Sequence, residues 1–451
     1  MQRFAMNELL AWKARKDRKP LILRGARQVG KTWLVREFGR LHYKQCLYVN
    51  FDLDANPQAG PRLDAVFAND LQPRRIVAAL EILFETRIDP DDTLIFFDEI
   101  QEQPRALNAL KYFNELAPEY HVVAAGSHLG MTLHQGVSFP VGKVEFLYLH
   151  PMSFGEFLRA LGKEQLADLL AARDWPLLNA VHSTLVECLR QYYCVGGMPE
   201  VVADYAATSD PARARALQRN LLELVRADFS KHAPPAQLAR IWQVWDSIPV
   251  HLARENRKFV FGALRPGARA KDFELALQWL YDYGLASAVV RIQKPDMPID
   301  AYAEAGVFKL YMLDVGLLGA MAGLDVKAIL EGDRVFTEFK GALVEQYVFQ
   351  QLTARAEGGH YGNRPYYWAG KAAEVDFVMQ FAEFIVPIEV KAAENLRSQS
   401  LKSYIAKYRP ERAFRVSLSP YRAEESFVNL PLYAVEQLPL LVSESAPGAL
   451  S

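Results

Sequence analysis

Gly25-Ala26-Arg27-Gln28-Val29-Gly30-Lys31-Thr32 has the complete G-x-x-x-x-G-K-[ST] spacing of a phosphate-binding loop. An apolar segment at 21–23 precedes it and a helix-like segment at 32–38 follows it, so a strand, a loop and a helix are predicted in the required order. The glycines let successive backbone N–H groups point at phosphate oxygens, and the helix presents the positive end of its dipole. A glycine-rich turn can arise by chance, but all these features agree. We therefore predict that all eight residues bind ATP, with Lys31 reaching the β- and γ-phosphates and Thr32 holding magnesium.

A second apolar segment ends abruptly in two acidic residues. Residues 93–97 are typical of a parallel strand that is covered on both faces, and Asp98 and Glu99 follow directly. We predict that Asp98 orients the magnesium ion and its waters and that Glu99 polarises the attacking water, so that ATP is hydrolysed and not merely bound. Two acids after a strand also occur as an ordinary solvated strand end. Their combination with the phosphate-binding loop favours the catalytic interpretation.

A small polar residue follows the next predicted strand. Residues 121–126 form that strand and end at Ser127. A hydroxyl at this position could contact the γ-phosphate, and we predict this role for Ser127. The alternative is a serine that caps a helix or stabilises a turn.

Composition limits the class of protein. The chain has 451 residues, 51% of them hydrophobic, so two to four domains with ordinary cores are expected. A net charge of −1 gives no overall attraction to nucleic acid or membranes. The three cysteines, Cys46, Cys188 and Cys194, include no close pair and are expected to be reduced thiols. Because no apolar run approaches the length of a signal peptide or membrane span, we expect a cytoplasmic protein without a membrane partner.

Strands and helices alternate up to about residue 150, which predicts an α/β fold with a parallel sheet covered by helices. A helical pattern follows to about residue 228. The amphipathic segment 271–280 and the strand-like segment 288–292 then suggest a winged-helix unit. Such a unit can read DNA or serve as a protein–protein spacer, and the helix carries no basic stripe that would favour DNA.

Acidic and basic residues alternate on two predicted strands near the carboxyl terminus. Asp376 lies on the first strand, and Glu389 and Lys391 lie two residues apart on the second, so the latter pair shares one face. Asp376 and Glu389 could share a divalent ion that polarises a phosphodiester, Lys391 could steady the developing charge, and Glu345 on a predicted helix could complete the metal site. Charges on a solvated sheet face give a similar pattern. The apolar neighbours of Glu389 favour a nuclease-type fold instead.

The aromatic cluster at 366–368 has two interpretations. It could stack nucleic-acid bases, but we favour an edge strand packed in the core.

The chain resembles bacterial and archaeal ATP-binding proteins of the AAA-like superfamily, in which a P-loop ATPase is joined to a carboxyl-terminal domain of unknown function similar to PD-(D/E)xK endonucleases. The similarity extends from about Leu21 to about Tyr408. Its motifs lie at 25–32, 97–100, 126–127, 151–157, 196–200, 309–317, 374–377 and 388–391.

The residue patterns and the resemblance together predict four segments. They are a P-loop AAA-like ATPase core at 1–155, a helical lid or connector at 156–234, a winged-helix-like domain at 235–330 and a PD-(D/E)xK nuclease-like α/β domain at 331–445. The resemblance also implies a homo-oligomer, because AAA-like ATPases usually complete their sites with an arginine from a neighbour. Arg226 is one candidate for that arginine, although a surface salt bridge is the commoner role. His128 departs from the small hydroxyl residue that often follows Ser127 in the family.

Three functions compete at this point. The first is an ATPase that drives a nuclease-like module acting on DNA. The second is a regulatory or scaffold ATPase whose nuclease-like domain only binds nucleic acid or protein. The third is a small-molecule kinase, for which the chain shows no evident acceptor pocket.

Overall fold

The computed structural model describes residues 1–52, 60–68, 70–126, 139–331, 337–354, 363–371, 373–392 and 398–443. The chain divides into two compact units. The first, the amino-terminal unit, comprises residues 2–150 with 282–284, and the second, the carboxyl-terminal unit, comprises residue 1, residues 151–281 and residues 285–451. None of the helices in the described part of the chain could span a lipid bilayer.

The amino-terminal unit is a parallel sheet with helices. Its helices are α1 (Ala5–Ala14), α2 (Lys31–His42), α3 (Gly60–Ala68), α4 (Pro73–Leu83) and α5 (Pro104–Leu116). Its strands are β1 (Leu21–Arg24), β2 (Gln45–Asn50), β3 (Thr93–Asp98), β4 (His121–Ala125) and β5 (Glu145–Tyr148). The strand order is β2-β3-β4-β1-β5, and every pair is parallel. The predicted α/β fold with a parallel sheet is therefore confirmed.

Strand β3 is an interior strand of this sheet, and all six of its residues are buried. Phe97 contacts the rings of Phe51, Phe67 and Phe113 at centroid distances of 5.6, 6.0 and 6.3 Å. Burying each such ring contributes roughly 1.5–3 kcal/mol. The apolar residues of β3 thus hold this strand in the core, and Asp98 lies at its carboxyl end, at the edge of the sheet.

The carboxyl-terminal unit begins with helices and ends with a mixed sheet. Its helices are α6 (Phe154–Ala160), α7 (Glu164–Ala172), α8 (Trp175–Ala180), α9 (His182–Val195), α10 (Pro199–Thr208), α11 (Pro211–His232), α12 (Pro235–Leu252), α13 (Ala270–Asp282), α14 (Val315–Met321), α15 (Val326–Glu331), α16 (Thr337–Ala354), α17 (Gln399–Tyr408) and α18 (Leu438–Ser443). Short 3-10 helices lie at Ile100–Glu102 in the amino-terminal unit and at Phe261–Ala263, Ile299–Tyr302 and Leu432–Gln437 in this one. The segment predicted to be helical, 156–234, is helical from α6 to α11.

One eight-stranded sheet runs through most of the second half of the chain. Its strands are β6 (Ala286–Ile292), β7 (Ala303–Met312), β8 (Tyr366–Ala369), β9 (Glu374–Phe381), β10 (Phe384–Val390), β11 (Phe414–Ser417), β12 (Arg422–Ala423) and β13 (Val428–Pro431). Their order is β12-β13-β11-β10-β9-β8-β6-β7. The two predicted strands that carry Asp376 and Glu389 exist as β9 and β10 and pair antiparallel, and β6 pairs with β8 in parallel.

The eight-stranded sheet extends across one of the predicted domain boundaries. The boundary between 330 and 331 falls between β7 and β8, which are strands of a single sheet. The predicted helix and strand of the winged-helix segment exist as α13 and β6, but β6 pairs with β7 on one side and with β8 on the other. The reason is that β8 supplies hydrogen-bonding partners that local sequence patterns cannot reveal.

Strand β8 is also an interior strand, so its prediction as an edge strand was wrong. Tyr366, Tyr367 and Trp368 are buried, and the strand lies between β6 and β9. The preferred assignment of these rings to the core agrees with their burial.

Asp314 joins three segments of the carboxyl-terminal unit. Its side chain accepts hydrogen bonds from the backbone of Gly197 at 2.6 Å, the backbone of Leu317 at 3.0 Å and the amide of Gln350 at 3.0 Å. A Cβ atom at Gly196 would lie 2.2 Å from Asp314 Oδ1, so only glycine fits there. The motifs at 196–200 and 309–317 therefore meet at a buried carboxylate that stabilises the fold.

Candidate functional site

The phosphate-binding loop has a backbone that requires its glycines. Gly25 has φ +151°, and a Cβ atom there would lie 2.3 Å from the carbonyl oxygen of Leu149. Gly30 has φ 93° at the residue that precedes α2. Gln28 also has a positive φ of 65°. Val29, between Gln28 and Gly30, is buried, and its carbonyl oxygen accepts a 2.9 Å hydrogen bond from Arg3. The sequence did not predict this contact of Arg3.

The side chain of Lys31 lies inside this loop. Its ammonium donates hydrogen bonds to the carbonyl oxygens of Gly25 at 3.0 Å and Ala26 at 2.8 Å. Burial lowers the pKa of Lys31 to about 8, although the charges of Glu99 and Asp98 act to raise it. A cation that is already enclosed by the loop is in position to meet phosphate oxygens there.

Thr32 and Asp98 are in direct contact. The Thr32 hydroxyl donates a 2.7 Å hydrogen bond to Asp98 Oδ2, and the Tyr48 hydroxyl donates to the same oxygen at 3.0 Å. Burial raises the pKa of Asp98, and the bond from Thr32 opposes that shift. A hydroxyl and a carboxylate are oxygen ligands that magnesium accepts, and its remaining positions are usually filled by water and phosphate. These two residues therefore fit the predicted ion.

Glu99 has a left-handed backbone with φ 50°. Its N–H donates to Asp98 Oδ1 at 3.1 Å, and its Oε2 accepts a 2.6 Å hydrogen bond from the Gln101 side chain. Gln101 therefore orients the residue predicted to polarise water. Ser127, the predicted γ-phosphate contact, lies outside the described residues, so its role stays a prediction.

The predicted carboxylate site brings Glu345 on α16 close to Asp376 on β9. The Glu345 side chain is buried, the Asp376 side chain is mostly buried, and the two carboxyl groups share a hydrogen bond. Burial and the neighbouring Glu345 raise the pKa of Asp376 well above its usual range, which favours a proton on Asp376. Burial opposes ionisation of Glu345, but the charges of Lys309 and Arg257 outweigh burial and lower its pKa.

Two cations already face these carboxylates. Arg257 forms an ion pair with Glu345, and Lys309, which is 0% exposed, lies 3.6 Å from Glu345 and 3.9 Å from Asp376. Tyr311 donates a 2.8 Å hydrogen bond to Glu345, and the backbone of Val390 donates one of the same length to Asp376. The carboxylates have therefore filled much of their coordination capacity with donors from the chain itself.

Glu389 has a different environment. It is 1% exposed, and its Oε1 lies 3.1 Å from the ammonium of Lys391. Its Oε2 has no hydrogen-bond partner among the described residues. In the part of the chain that the structure describes, no group of three or more His, Cys, Asp or Glu side chains is arranged to hold a metal ion. The metal-binding roles predicted for Glu345, Asp376 and Glu389 therefore stay a prediction, and in this structure cations of the chain face all three carboxylates.

A family model described as an AAA domain matches residues 17–158. The amino-terminal segment is thus similar to AAA domains, in agreement with its phosphate-binding loop and parallel sheet. Two further models, each described as a domain of unknown function, match residues 186–328 (DUF8612) and 340–434 (DUF4143). No curated protein matches the chain.

Solved structures show only low similarity. The Walker-type ATPase PABY2304 of Pyrococcus abyssi is 13% identical with a TM-score of 0.44, and the match covers 71% of this chain and 95% of that one. The Aeropyrum pernix Orc1 protein in complex with DNA is 15% identical with a TM-score of 0.28, over 70% and 90% of the two chains. Drosophila ORC bound to DNA is 16% identical with a TM-score of 0.27, over 71% and 95%. At these values the similarities carry no argument about function.

Arg226, the candidate for an arginine that completes a neighbouring site, pairs with Asp246 in this structure. Two nitrogen–oxygen distances of 3.2 Å join the two side chains, and both residues are substantially exposed. This is the surface salt bridge that the sequence analysis preferred. An exposed pair of this kind contributes only about 0–1 kcal/mol.

Sequence reasoning missed the partners of the predicted residues. Tyr48 and Gln101 contact Asp98 and Glu99, and Lys309 and Arg257 contact Glu345. Lys309 lies within the motif 309–317, and a lysine among apolar strand residues was the available signal. Arg257 carried no such signal.

Proposed function

We propose that this protein binds ATP and hydrolyses it with magnesium in its amino-terminal unit. The contact between Thr32 and Asp98, beside the enclosed ammonium of Lys31, is the observation that carries the proposal. The match of an AAA domain to residues 17–158 supports it. A bound magnesium ion would neutralise phosphate charge and orient the triphosphate.

Each residue in this arrangement has a separate task. Lys31 binds the β- and γ-phosphates with a charge that is strong because the loop shields it from solvent. Glu99 polarises the attacking water, a step that contributes about 10²- to 10⁴-fold to the rate of such reactions. Gln101 holds Glu99 in place through the 2.6 Å hydrogen bond.

Replacement of Lys31 tests the assignment. Lys31→Ala removes the charge at the phosphates, so we expect loss of ATP binding and of phosphate release, measured with a fluorescent ATP analogue and a phosphate assay. Lys111→Ala, an exposed lysine on α5, serves as the matched control and should behave as wild type. Unchanged turnover in Lys31→Ala would refute the proposal.

The ion pairs of the carboxyl-terminal unit support the scaffold or regulatory interpretation over the nuclease. Glu345 and Asp376 face Lys309 and Arg257, which leaves a divalent ion poorly matched to this cluster. We propose that the carboxyl-terminal unit binds nucleic acid, with DNA as the first choice, or protein, and that the ATPase cycle regulates this binding. Assembly into a homo-oligomer stays a prediction from the family resemblance.

A further inference from the structure

A fully buried lysine lies among three carboxylates on the mixed sheet. The ammonium of Lys309 is 2.8 Å from Glu374, 3.6 Å from Glu345 and 3.9 Å from Asp376. It also lies 5.1 Å from the centre of the Tyr367 ring, over its face. Burying an ammonium without counter-charges costs free energy, and so does burying carboxylates without cations. The lysine and the carboxylates therefore stabilise each other.

The remaining contacts of the cluster come from the same unit. Arg257 forms an ion pair with Glu345, and Tyr311 donates to its second oxygen. The backbone of Val390 donates to Asp376. These donors occupy carboxylate lone pairs that would otherwise coordinate a metal ion or accept hydrogen bonds from its bound waters.

Charge balance also disfavours an additional divalent ion. Lys309, Arg257 and Lys391 face Glu345, Glu374, Asp376 and Glu389. An added divalent cation would leave an excess of positive charge in a buried region, and it would have to approach Lys309 closely to reach Glu345 and Asp376 together.

We propose that the ammonium of Lys309 stands permanently in place of a divalent cation, so that the cluster of Glu345, Glu374 and Asp376 holds its structure without metal. Removal of this lysine should therefore convert the cluster into a site for a divalent cation. Carboxylate oxygens that lie around the vacated ammonium position are the ligands such an ion prefers. This inference is independent of ATP hydrolysis in the other unit.

One buried oxygen atom, in contrast, favours metal binding. Glu389 Oε2 is buried and has no hydrogen-bond partner among the described residues, which is the kind of atom that a cation would satisfy. The unsatisfied oxygen of Glu389 favours a bound cation, whereas the ammonium of Lys309 disfavours one. A measurement of metal binding to the wild-type protein shows which effect is larger.

The experiment titrates nucleotide-free full-length protein with Mn²⁺ and measures free Mn²⁺ by electron paramagnetic resonance. We expect the wild-type protein to have no Mn²⁺ site that is lost in Asp376→Asn or in Glu389→Gln. Lys309→Ser should gain roughly one Mn²⁺ site per chain, lose it when combined with Asp376→Asn, and recover part of its lowered melting temperature when Mn²⁺ is added. The control Lys402→Ser, an exposed lysine on α17, should gain no site.

Two results would overturn the inference. The first is a wild-type Mn²⁺ site that Asp376→Asn abolishes. The second is a folded Lys309→Ser protein that gains no Mn²⁺ site. If Lys309→Ser does not fold, the wild-type titration alone decides, because absence of an Asp376-dependent site supports the inference and its presence refutes it. Any Mn²⁺ bound in the ATPase unit is recognised separately by its loss in Asp98→Asn, so failure of one proposal does not obscure the other.

Discussion

The hydroxyl of Thr32 donates a 2.7 Å hydrogen bond to Asp98 Oδ2, although the two residues lie 66 positions apart in the chain. Thr32 is at the start of α2 and Asp98 is at the end of β3. Strand β4 lies between β3 and β1, but all three strands are parallel, so the carboxyl ends of β3 and β1 lie at the same edge of the sheet. The parallel arrangement of all these strands makes this contact possible.

Replacement of Glu99 should separate nucleotide binding from hydrolysis. Glu99→Gln keeps the shape of the side chain but removes the charge that polarises water, so we expect ATP to bind and turnover to fall by about 100-fold or more. Equilibrium binding and single-turnover hydrolysis measure the two effects. Glu102→Gln, three residues further along, is the control, and an equal loss of turnover in both variants would argue against a special role for Glu99.

ATP affinity should decrease at alkaline pH because the pKa of Lys31 is lowered to about 8 by burial. Below this pH the ammonium is charged and binds phosphate, whereas above it the free protein loses the charge. We expect nearly constant affinity from about pH 6.5 to 7.5 and a loss of up to about tenfold per pH unit above pH 8.

Calorimetry in buffers of different ionisation enthalpy should also detect proton uptake on ATP binding near pH 8. Lys31→Arg keeps its charge throughout this range, so it should lack both the alkaline decline and the proton uptake. An identical pH profile in the two proteins would contradict the assignment of the titrating group.

Loss of Asp314 should destabilise the carboxyl-terminal unit. Asp314→Ala leaves the donors of Gly197, Leu317 and Gln350 without their buried acceptor, and we expect the free energy of unfolding to fall by roughly 3–5 kcal/mol in urea titrations. Asp325→Ala is a matched control, because this exposed aspartate also accepts backbone N–H groups at a helix start. Its cost should be only about 1 kcal/mol.

The wild-type protein should leave DNA intact. Because Lys309 and Arg257 neutralise the predicted metal ligands, we expect no cutting of supercoiled plasmid with Mg²⁺ or Mn²⁺, with or without ATP. Binding is measured separately by fluorescence anisotropy with a labelled duplex. Cleavage that disappears in both Asp376→Asn and Lys391→Ala, while the ATPase rate stays near wild type, would restore the nuclease interpretation.

The sequence was most informative where function depends on consecutive residues. The loop at 25–32 specifies its own backbone through Gly25 and Gly30, and β3 is a continuous apolar run that ends in Asp98. Local patterns of this kind predict both the strand and the residue it delivers. The order of the strands could not be predicted in this way. It depends on which of several equally apolar strands form hydrogen bonds with one another.

The environment of Glu345 could not be predicted for the same reason. Arg257 lies 88 positions before Glu345, on a segment without a recognisable motif. Lys309 belongs to an apparently apolar strand whose last residues are buried on both faces, and a charged side chain there is tolerated only because three carboxylates surround it. Long-range charge compensation leaves almost no trace in the local pattern.

The shared sheet also determines which pieces of this chain can exist alone. A fragment beginning at residue 331 would lack β6 and β7, so β8 would become an open edge with Trp368 at its border. The same cut would remove Lys309 and Arg257 and leave Glu345 as a buried charge without its cations. Such a fragment should aggregate. In gene rearrangements, therefore, the segments matched at 186–328 and 340–434 are expected to function only when they are inherited together.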